Sequence, residues 1–312
     1  MKDKRARLRR AARTAAACIA ALATASAASA QARGEARTLR LGGLERSWLV
    51  HLPSPMPAGR ALPLLLVLHG GGGRARGIAE HTRFDRLADR EGFVVVYPAG
   101  IRGRWNDGRG LSGAPHDDVA FIRAVLDSVA RETRIDPARI YATGISNGAM
   151  FAHRLACDLP GRFAAIAPVA GALPAALAPT CAGAEPVSVL AIQGTEDRLV
   201  PYDGGGVARV RGAVLSARES LAHWARRAGC GALEAGRRTD RVSDGTALVH
   251  LAHAGCASGA VELYEVRGGG HTWPGGPRVT ARLLGRTTRE LDATRAIWDF
   301  FAAHPRAAAA QR

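Results

Sequence analysis

"YATGISNGAM", residues 141–150, sets glycines two places before and two places after Ser146, between an apolar run and a helix-like one. A serine at such a crossing reads in two ways. In one, Gly144 and Gly148 relieve a sharp, strained strand-to-helix turn that lifts the hydroxyl out of the sheet as a nucleophile. In the other, a glycine-rich turn merely contains a serine that caps the next helix. The rest of the chain has to decide.

Working outward, apolar runs recur at "LLLVLHG" (64–70), "FVVVYPAG" (93–100), "IYATG" (140–144), "AAIAPVAG" (164–171), "VSVLAIQG" (187–194) and "VELYEV" (261–266). Continuous apolar strands are buried on both faces, the mark of a parallel sheet covered by helices. Between them, Val119, Ile122, Val125, Leu126 and Val129 form a helical stripe, with Asp117 or Asp118 placed to cap its start. Thr287 and Glu290 match a capping box ahead of a second stripe, Leu291, Ile297, Trp298 and Phe301, which Pro305 ends. "RTLRLGGLERSWLVHLP" (37–53) alternates around Gly-Gly as an antiparallel hairpin at a sheet edge. The expected fold class is α/β: a mainly parallel central sheet with helices on both faces, a three-layer sandwich. With no linker or repeat, residues 31–305 read as a single domain and 306–312 as a disordered tail.

The first thirty residues read as a signal peptide. Seven basic residues between Lys2 and Arg13 lead into an alanine-rich apolar stretch ending in Ala28-Ser29-Ala30, a cleavage signature that places the mature start at Gln31. The stretch is too short and too rich in alanine for a stable membrane anchor, so the expected location is secreted or periplasmic, with the export route open. Removing seven basic residues and one acidic residue lowers the net charge from +16 to +10. The remaining cationic side chains, histidines aside, are all arginine and are scattered. Nucleic-acid binding would need them clustered on one face, so that class is set aside.

Four cysteines lie beyond the leader: Cys157, Cys181, Cys230 and Cys256. An even count in an exported chain suggests disulfides, and no Cys/His spacing suggests a metal site. Cys157 with Cys181 and Cys230 with Cys256 is the favoured pairing among three, because each pair closes a modest loop worth about 3–4 kcal/mol in the chain-entropy model.

A serine hydroxyl is a weak nucleophile at neutral pH and needs a base, which in turn needs an orienting acid. Both follow Ser146 in order, each just after an apolar run. "GTEDRLVPYDGG" offers Asp197, with Glu196 as competitor, and "RGGGHTWPGG" offers His271 in a loop shaped by glycines. Of the other histidines, His81, His223 and His304 fall on helices expected to be exposed, and His153 on the helix after Ser146, packed there. An acyl transfer also needs donors for a developing oxyanion. The backbone N–H of Asn147 is one candidate, and "HGGGG" (69–73) supplies the other, Gly71 ahead of Gly72. No G-K-[ST] follows that glycine run, which argues against a phosphate loop.

"LLLVLHGGGG", "DDVAFI", "DPARIYATGISNGAM", "FAAIAPVAG", "GTEDRLVPYDGG" and "GGGHTWPGG" together resemble the secreted polyhydroxybutyrate depolymerase family of α/β-hydrolases, with its feruloyl and acetyl xylan esterase relatives. The likeness spans about residues 40–304. It implies an α/β-hydrolase fold and a serine carboxylic-ester hydrolase with Ser146 as nucleophile, His271 as general base and Asp197 as orienting acid, needing no metal or cofactor. Ile145 and Ala149 stand where methionine and glycine are common in relatives, and neither change removes a catalytic group. The chain lacks the linker and extra polymer-binding domain of many extracellular depolymerases, which turns the expectation toward soluble esters or short polyester oligomers. Trp105 and Trp273 are candidate substrate-binding aromatic walls. Arg102, Arg104 and Arg109 stand near the first of them and could meet an acidic substrate.

Overall fold

The chain enters the fold as a hairpin of β1 (Glu35–Leu41) and β2 (Leu44–His51), turned by Gly42 and Gly43 at φ 57° and 77°, the paired positive values a two-residue hairpin turn takes. There follow β3 (Leu62–Leu68), α1 (Ala75–Thr82), α2 (Phe84–Glu91), β4 (Val94–Pro98), α3 (Asp118–Glu132), β5 (Ile135–Ile145) and α4 (Asn147–Asp158). The second half adds β6 (Ala165–Val169), β7 (Ser188–Gly194), a small pair β8 (Gly205–Gly206) and β9 (Ala213–Val214), and α5 (Ala217–Arg227). It closes with β10 (Arg237–Thr239), β11 (Ala247–Ala252), β12 (Val261–Arg267), α6 (Ala281–Leu284) and α7 (Ala293–Ala303). This computed structural model describes residues 34–110, 116–183, 185–209, 212–277 and 281–307, and Ala36 onward forms one unit. The expected signal peptide, 1–30, lies outside the described residues.

Ten strands form one sheet in the order β1-β2-β4-β3-β5-β6-β7-β12-β11-β10. The six central strands are parallel, and they are the six apolar runs of the sequence. Antiparallel strands flank them: β2 beside β4, and β11 and β10 beyond β12. β3 shows why the sheet is covered twice. Every residue in it is buried, with Leu64, Leu66 and Leu68 in one core and Leu65 and Val67 in the other. α3, α4 and α5 seal the first core through Ile122, Phe151 and Trp224, while α1, α2 and α7 seal the second through Ile78, Leu87 and Phe301. Phe93 stacks on Trp298 of α7 with ring centroids 3.7 Å apart. The three-layer sandwich expected from the strand pattern is therefore the fold.

Disulfides join Cys157 to Cys181 and Cys230 to Cys256, the favoured pairing. Asp117 caps α3 by accepting from the Ala120 N–H, whereas its neighbour Asp118 is buried and ion-paired to Arg46 at 2.7 Å.

Three local expectations are corrected. The last helix starts at Ala293 with Asp292 as its cap, so Thr287 and Glu290 form no capping box there; Glu290 turns to the backbone N–H groups of Arg241 and Val242. A capping box does occur at Ser216 and Glu219, ahead of α5. Of the expected tail, 306–312, Arg306 is tied down, its N–H donating to Ala138 O and its guanidinium to Pro137 O, and 308–312 lie outside the described residues. His223, expected on an exposed helix, is buried on α5 against Trp224.

His153 accepts from the Trp224 indole N–H at 3.0 Å, and burial lowers its pKa to about 3; burial and the neighbouring Arg227 and Arg226 lower that of His223 to about 4. Both rings are neutral in the fold. The unfolded chain takes up their protons near pH 6.5 and the folded chain does not, so stability drains as pH falls from about 6.5 toward 4. Urea melts of His153→Asn should show a stability slope over that window reduced by about 1.4 kcal/mol per pH unit, together with an overall loss at pH 7 from the lost packing. An unchanged slope would mean that His153 is protonated in the native state.

Candidate active site

Ser146 closes β5 and caps α4 with φ 58° and ψ −121°, a region that a residue bearing a side chain enters at a cost of about 1–3 kcal/mol. Neighbouring bonds pin it there. Its N–H donates to Val169 O at the end of β6, and its carbonyl accepts from the Met150 N–H in the first turn of α4, both at 3.0 Å. The flanking glycines leave no room for side chains. A Cβ on Gly144 would sit 2.7 Å from Leu68 O, and one on Gly148 would sit 2.4 Å from the same atom and 2.6 Å from His69 O. The glycine spacing in the sequence is thus set by how closely β5, α4 and the end of β3 approach.

Asp197 follows β7 and His271 follows β12. His271 Nδ1 and Asp197 Oδ2 are 2.7 Å apart, and both residues are buried. The other carboxylate oxygen accepts the N–H groups of Leu199 and Val200 at 2.8 and 2.9 Å, which aims the acid at the ring. With the carboxylate as acceptor, the proton sits on Nδ1 and leaves Nε2 with a lone pair. Glu196 is exposed and pairs with Arg286 at 3.0 Å, so the structure brings Asp197 to the histidine and turns its competitor outward. Ser146, Asp197 and His271 stand at the carboxyl ends of β5, β7 and β12, all parallel, and so on one rim of the sheet.

The glycine-rich loop after β3 lies beside the serine turn. A Cβ on Gly71 would be 3.8 Å from Asn147 Cβ, and one on Gly70 would be 3.5 Å from Ser146 Cβ. The Gly72 N–H is spent on Gly103 O at 2.7 Å and the Gly73 N–H on Gly70 O at 2.9 Å. Among the described residues, the N–H groups of Gly71 and Asn147 have no protein acceptor. His69 orders this loop as a neutral ring: Nε2 accepts the Gly100 N–H at 2.9 Å, leaving Nδ1 to donate to Gly70 O, and burial lowers its pKa. No cluster of three or more His, Cys, Asp or Glu able to hold a metal ion occurs among the described residues.

The expectation for the two tryptophans is corrected. Trp105 and Trp273 are 4% and 1% exposed. Trp105 stacks on Phe151 at 5.0 Å, while Trp273 meets Phe84 edge-on and donates its indole N–H to Thr294. Rings with so little exposed surface fill cores and offer a substrate no open wall. Arg109 pairs with buried Asp107 at 2.8 Å and so is held inside the protein. Sequence reading missed Asp107 altogether, because its partner Asn147 lies forty positions away with no periodic signal between them.

A mainly parallel sheet with a serine on a strained strand-to-helix turn, followed by an acid and a histidine beyond later strands, defines an α/β-hydrolase. Residues 46–183 match the family model described as Esterase PHB depolymerase. The chain is 35% identical over 288 residues to "Putative esterase NocK" of Nocardia uniformis subsp. tsuyamanensis, covering 85% of this chain and 81% of that one. It is 31% identical over 194 residues to Feruloyl esterase B of Piromyces equi, covering 59% of this chain and 36% of that one. Among solved structures, an acetyl xylan esterase from Aspergillus awamori shares the fold with a TM-score of 0.58 at 15% identity, covering 86% of this chain and 99% of that one. The chain belongs to the PHB depolymerase esterase family and is a carboxylic ester hydrolase.

The crowding at the serine turn gives a direct test. Gly148→Ala forces a methyl into two backbone carbonyls and should cost about 1–3 kcal/mol in urea melts. Gly77→Ala, in α1 with open space around it, should instead gain about 0.5–1 kcal/mol. Equal effects of the two changes would show that α4 and β3 can separate freely.

Proposed function

We propose that the protein is an exported serine esterase acting through an acyl-enzyme, with Ser146, His271 and Asp197 as its triad. The observation that carries the reading is the 2.7 Å bond between His271 and an Asp197 carboxylate already held by two backbone N–H groups, on the same rim as the strained Ser146. Ser146 Oγ attacks the ester carbonyl as His271 Nε2 takes its proton. The tetrahedral oxyanion is received by the N–H groups of Gly71 and Asn147. Collapse breaks the ester C–O bond, and His271 passes the proton to the departing alcohol. Water, deprotonated by the same nitrogen, then attacks the acyl-enzyme and releases the acid, returning the proton to Ser146.

Substrates are soluble esters or short polyester oligomers, in keeping with relatives named for feruloyl and acetylxylan ester hydrolysis. Two disulfides support a place outside the cytoplasm, as secreted or periplasmic protein.

The test is turnover of p-nitrophenyl acetate and butyrate, methyl ferulate, acetylated xylan, hydroxybutyrate oligomers and a peptide amide. Ser146→Ala should lower ester kcat by roughly a million-fold. Asp197→Asn should lower it by about ten-thousand-fold, because the amide favours the wrong histidine tautomer. Full turnover in Ser146→Ala would end this reading, and faster cleavage of the amide than of the esters would make the protein a peptidase.

A further inference from the structure

The mechanism asks two backbone N–H groups, from Gly71 after β3 and Asn147 after β5, to hold one oxyanion. Nothing in a backbone amide alone fixes their separation. Among the described residues, one segment, 100–107, is bonded to both sides.

On the Gly71 side, this segment makes three bonds to the glycine-rich loop or its neighbour. The Gly100 N–H donates to His69 Nε2 at 2.9 Å, Gly103 O accepts the Gly72 N–H at 2.7 Å, and the Trp105 indole N–H donates to His69 O at 2.9 Å. On the Asn147 side, it satisfies the whole carboxamide. Asn147 Oδ1 accepts the Trp105 N–H at 2.8 Å, and Nδ2 donates to Trp105 O at 3.1 Å and to Asp107 Oδ2 at 2.6 Å. Trp105 thus bonds both sides at once, its main chain to Asn147 and its ring to His69.

The segment is itself fastened. Asp107 is 3% exposed and pairs with the guanidinium of Arg109, and the Asn106 N–H donates at 2.8 Å to Asp118, which is ion-paired to Arg46. Three hydrogen bonds to one carboxamide anchor the Asn147 side chain, and through its Cα the start of α4 that carries its N–H, to this segment. Asparagine suits the position because it offers one acceptor and two donors to match Trp105 N–H, Trp105 C=O and a carboxylate.

We infer that Asp107 and the side chain of Asn147 are positioning residues that set the distance and angle between the two oxyanion donors, acting through the segment 100–107. The inference rests on the serine-esterase reading above. It predicts a transition-state effect, since donors that drift by a fraction of an ångström still admit the planar ester but hold the tetrahedral oxyanion less well.

The test compares wild type with Asp107→Ala, Asn147→Ser and Asp107→Asn on p-nitrophenyl butyrate, with a trifluoromethyl ketone whose serine adduct carries an oxyanion as second probe. Removal of one oxyanion donor costs about 10²–10³ in kcat, so misplacing one should cost less, about 10–100-fold, in Asp107→Ala and Asn147→Ser. KM should stay within about threefold, ketone affinity should fall in parallel with kcat/KM, and the pH profile of kcat/KM should keep its midpoint. Asp107→Asn retains an acceptor oxygen for the Asn147 amide but gives up the charge pair with Arg109, so its kcat should fall between those of wild type and Asp107→Ala. Near-UV circular dichroism reports the fold. Asn147→Ser leaves the Asp107–Arg109 pair in place, so it decides the matter if Asp107→Ala does not fold. Unchanged kcat in folded variants, a rise in KM alone, or ketone affinity that holds while kcat falls would overturn the inference. Full activity in Ser146→Ala would instead overturn the reading beneath it, and these two failures are read from different proteins.

Discussion

The strained peptide at Ser146 is the constraint on which the rest of the structure turns. A side-chain-bearing residue at φ 58° and ψ −121° persists only where its surroundings leave no alternative. Here one bond runs sideways to β6 and another forward into α4, while the end of β3 closes the space behind Gly144 and Gly148. The strain is of order 1–3 kcal/mol, and one fully buried leucine contributes about as much in the opposite direction. β3 alone buries several, which is why the fold tolerates the turn.

The same economy of space selects the acid. Asp197 and Glu196 are adjacent carboxylates after the same strand, yet one is buried against His271 and the other is exposed against Arg286. The shorter side chain lets one oxygen accept two N–H groups of its own following turn while the other reaches the ring. Those N–H groups compensate for part of the cost of burying a charge, and the histidine bond compensates for more. A longer side chain would have to fold back on itself to satisfy both.

How much of this was legible in the sequence follows from the range of each interaction. Runs such as 64–70 and 187–194 show strands because burial on both faces needs apolar residues at every position, a local signal. Ser146, Asp197 and His271 can be picked out as the proposed triad because each follows the end of a strand. β11, "ALVHLA", does not stand out in the sequence: its histidine, bonded to Glu262 on the neighbouring strand, breaks the apolar run. The start of α7 is not legible because Thr287 and Glu290 satisfy the capping spacing while the Glu290 carboxylate accepts from Arg241 and Val242 instead. Trp105 and Trp273 cannot be placed from sequence, because an aromatic beside a glycine-rich loop looks the same whether it faces substrate or core. Partners distant in sequence, such as Phe151 and Phe84, settle that question.

The sheet itself explains why a separate segment should serve the proposed oxyanion donors. Gly71 and Asn147 follow β3 and β5, neighbouring parallel strands whose axes lie about 4.8 Å apart. That spacing brings the two loops within reach of one ligand atom but does not orient either amide. On one side, the first turn of α4 adds the partial positive charge of a helix start, which favours an anion without fixing its position. On the other, a run of glycines has no side chains with which to hold itself. Direction has to come from groups that are rigid and buried, and an indole ring, a carboxamide with every hydrogen bond used and a carboxylate locked to a guanidinium are such groups. The loop Gly70–Gly73, which has no side chains of its own, thus lies against a heavily bonded segment that is tied to it through Gly72 and His69.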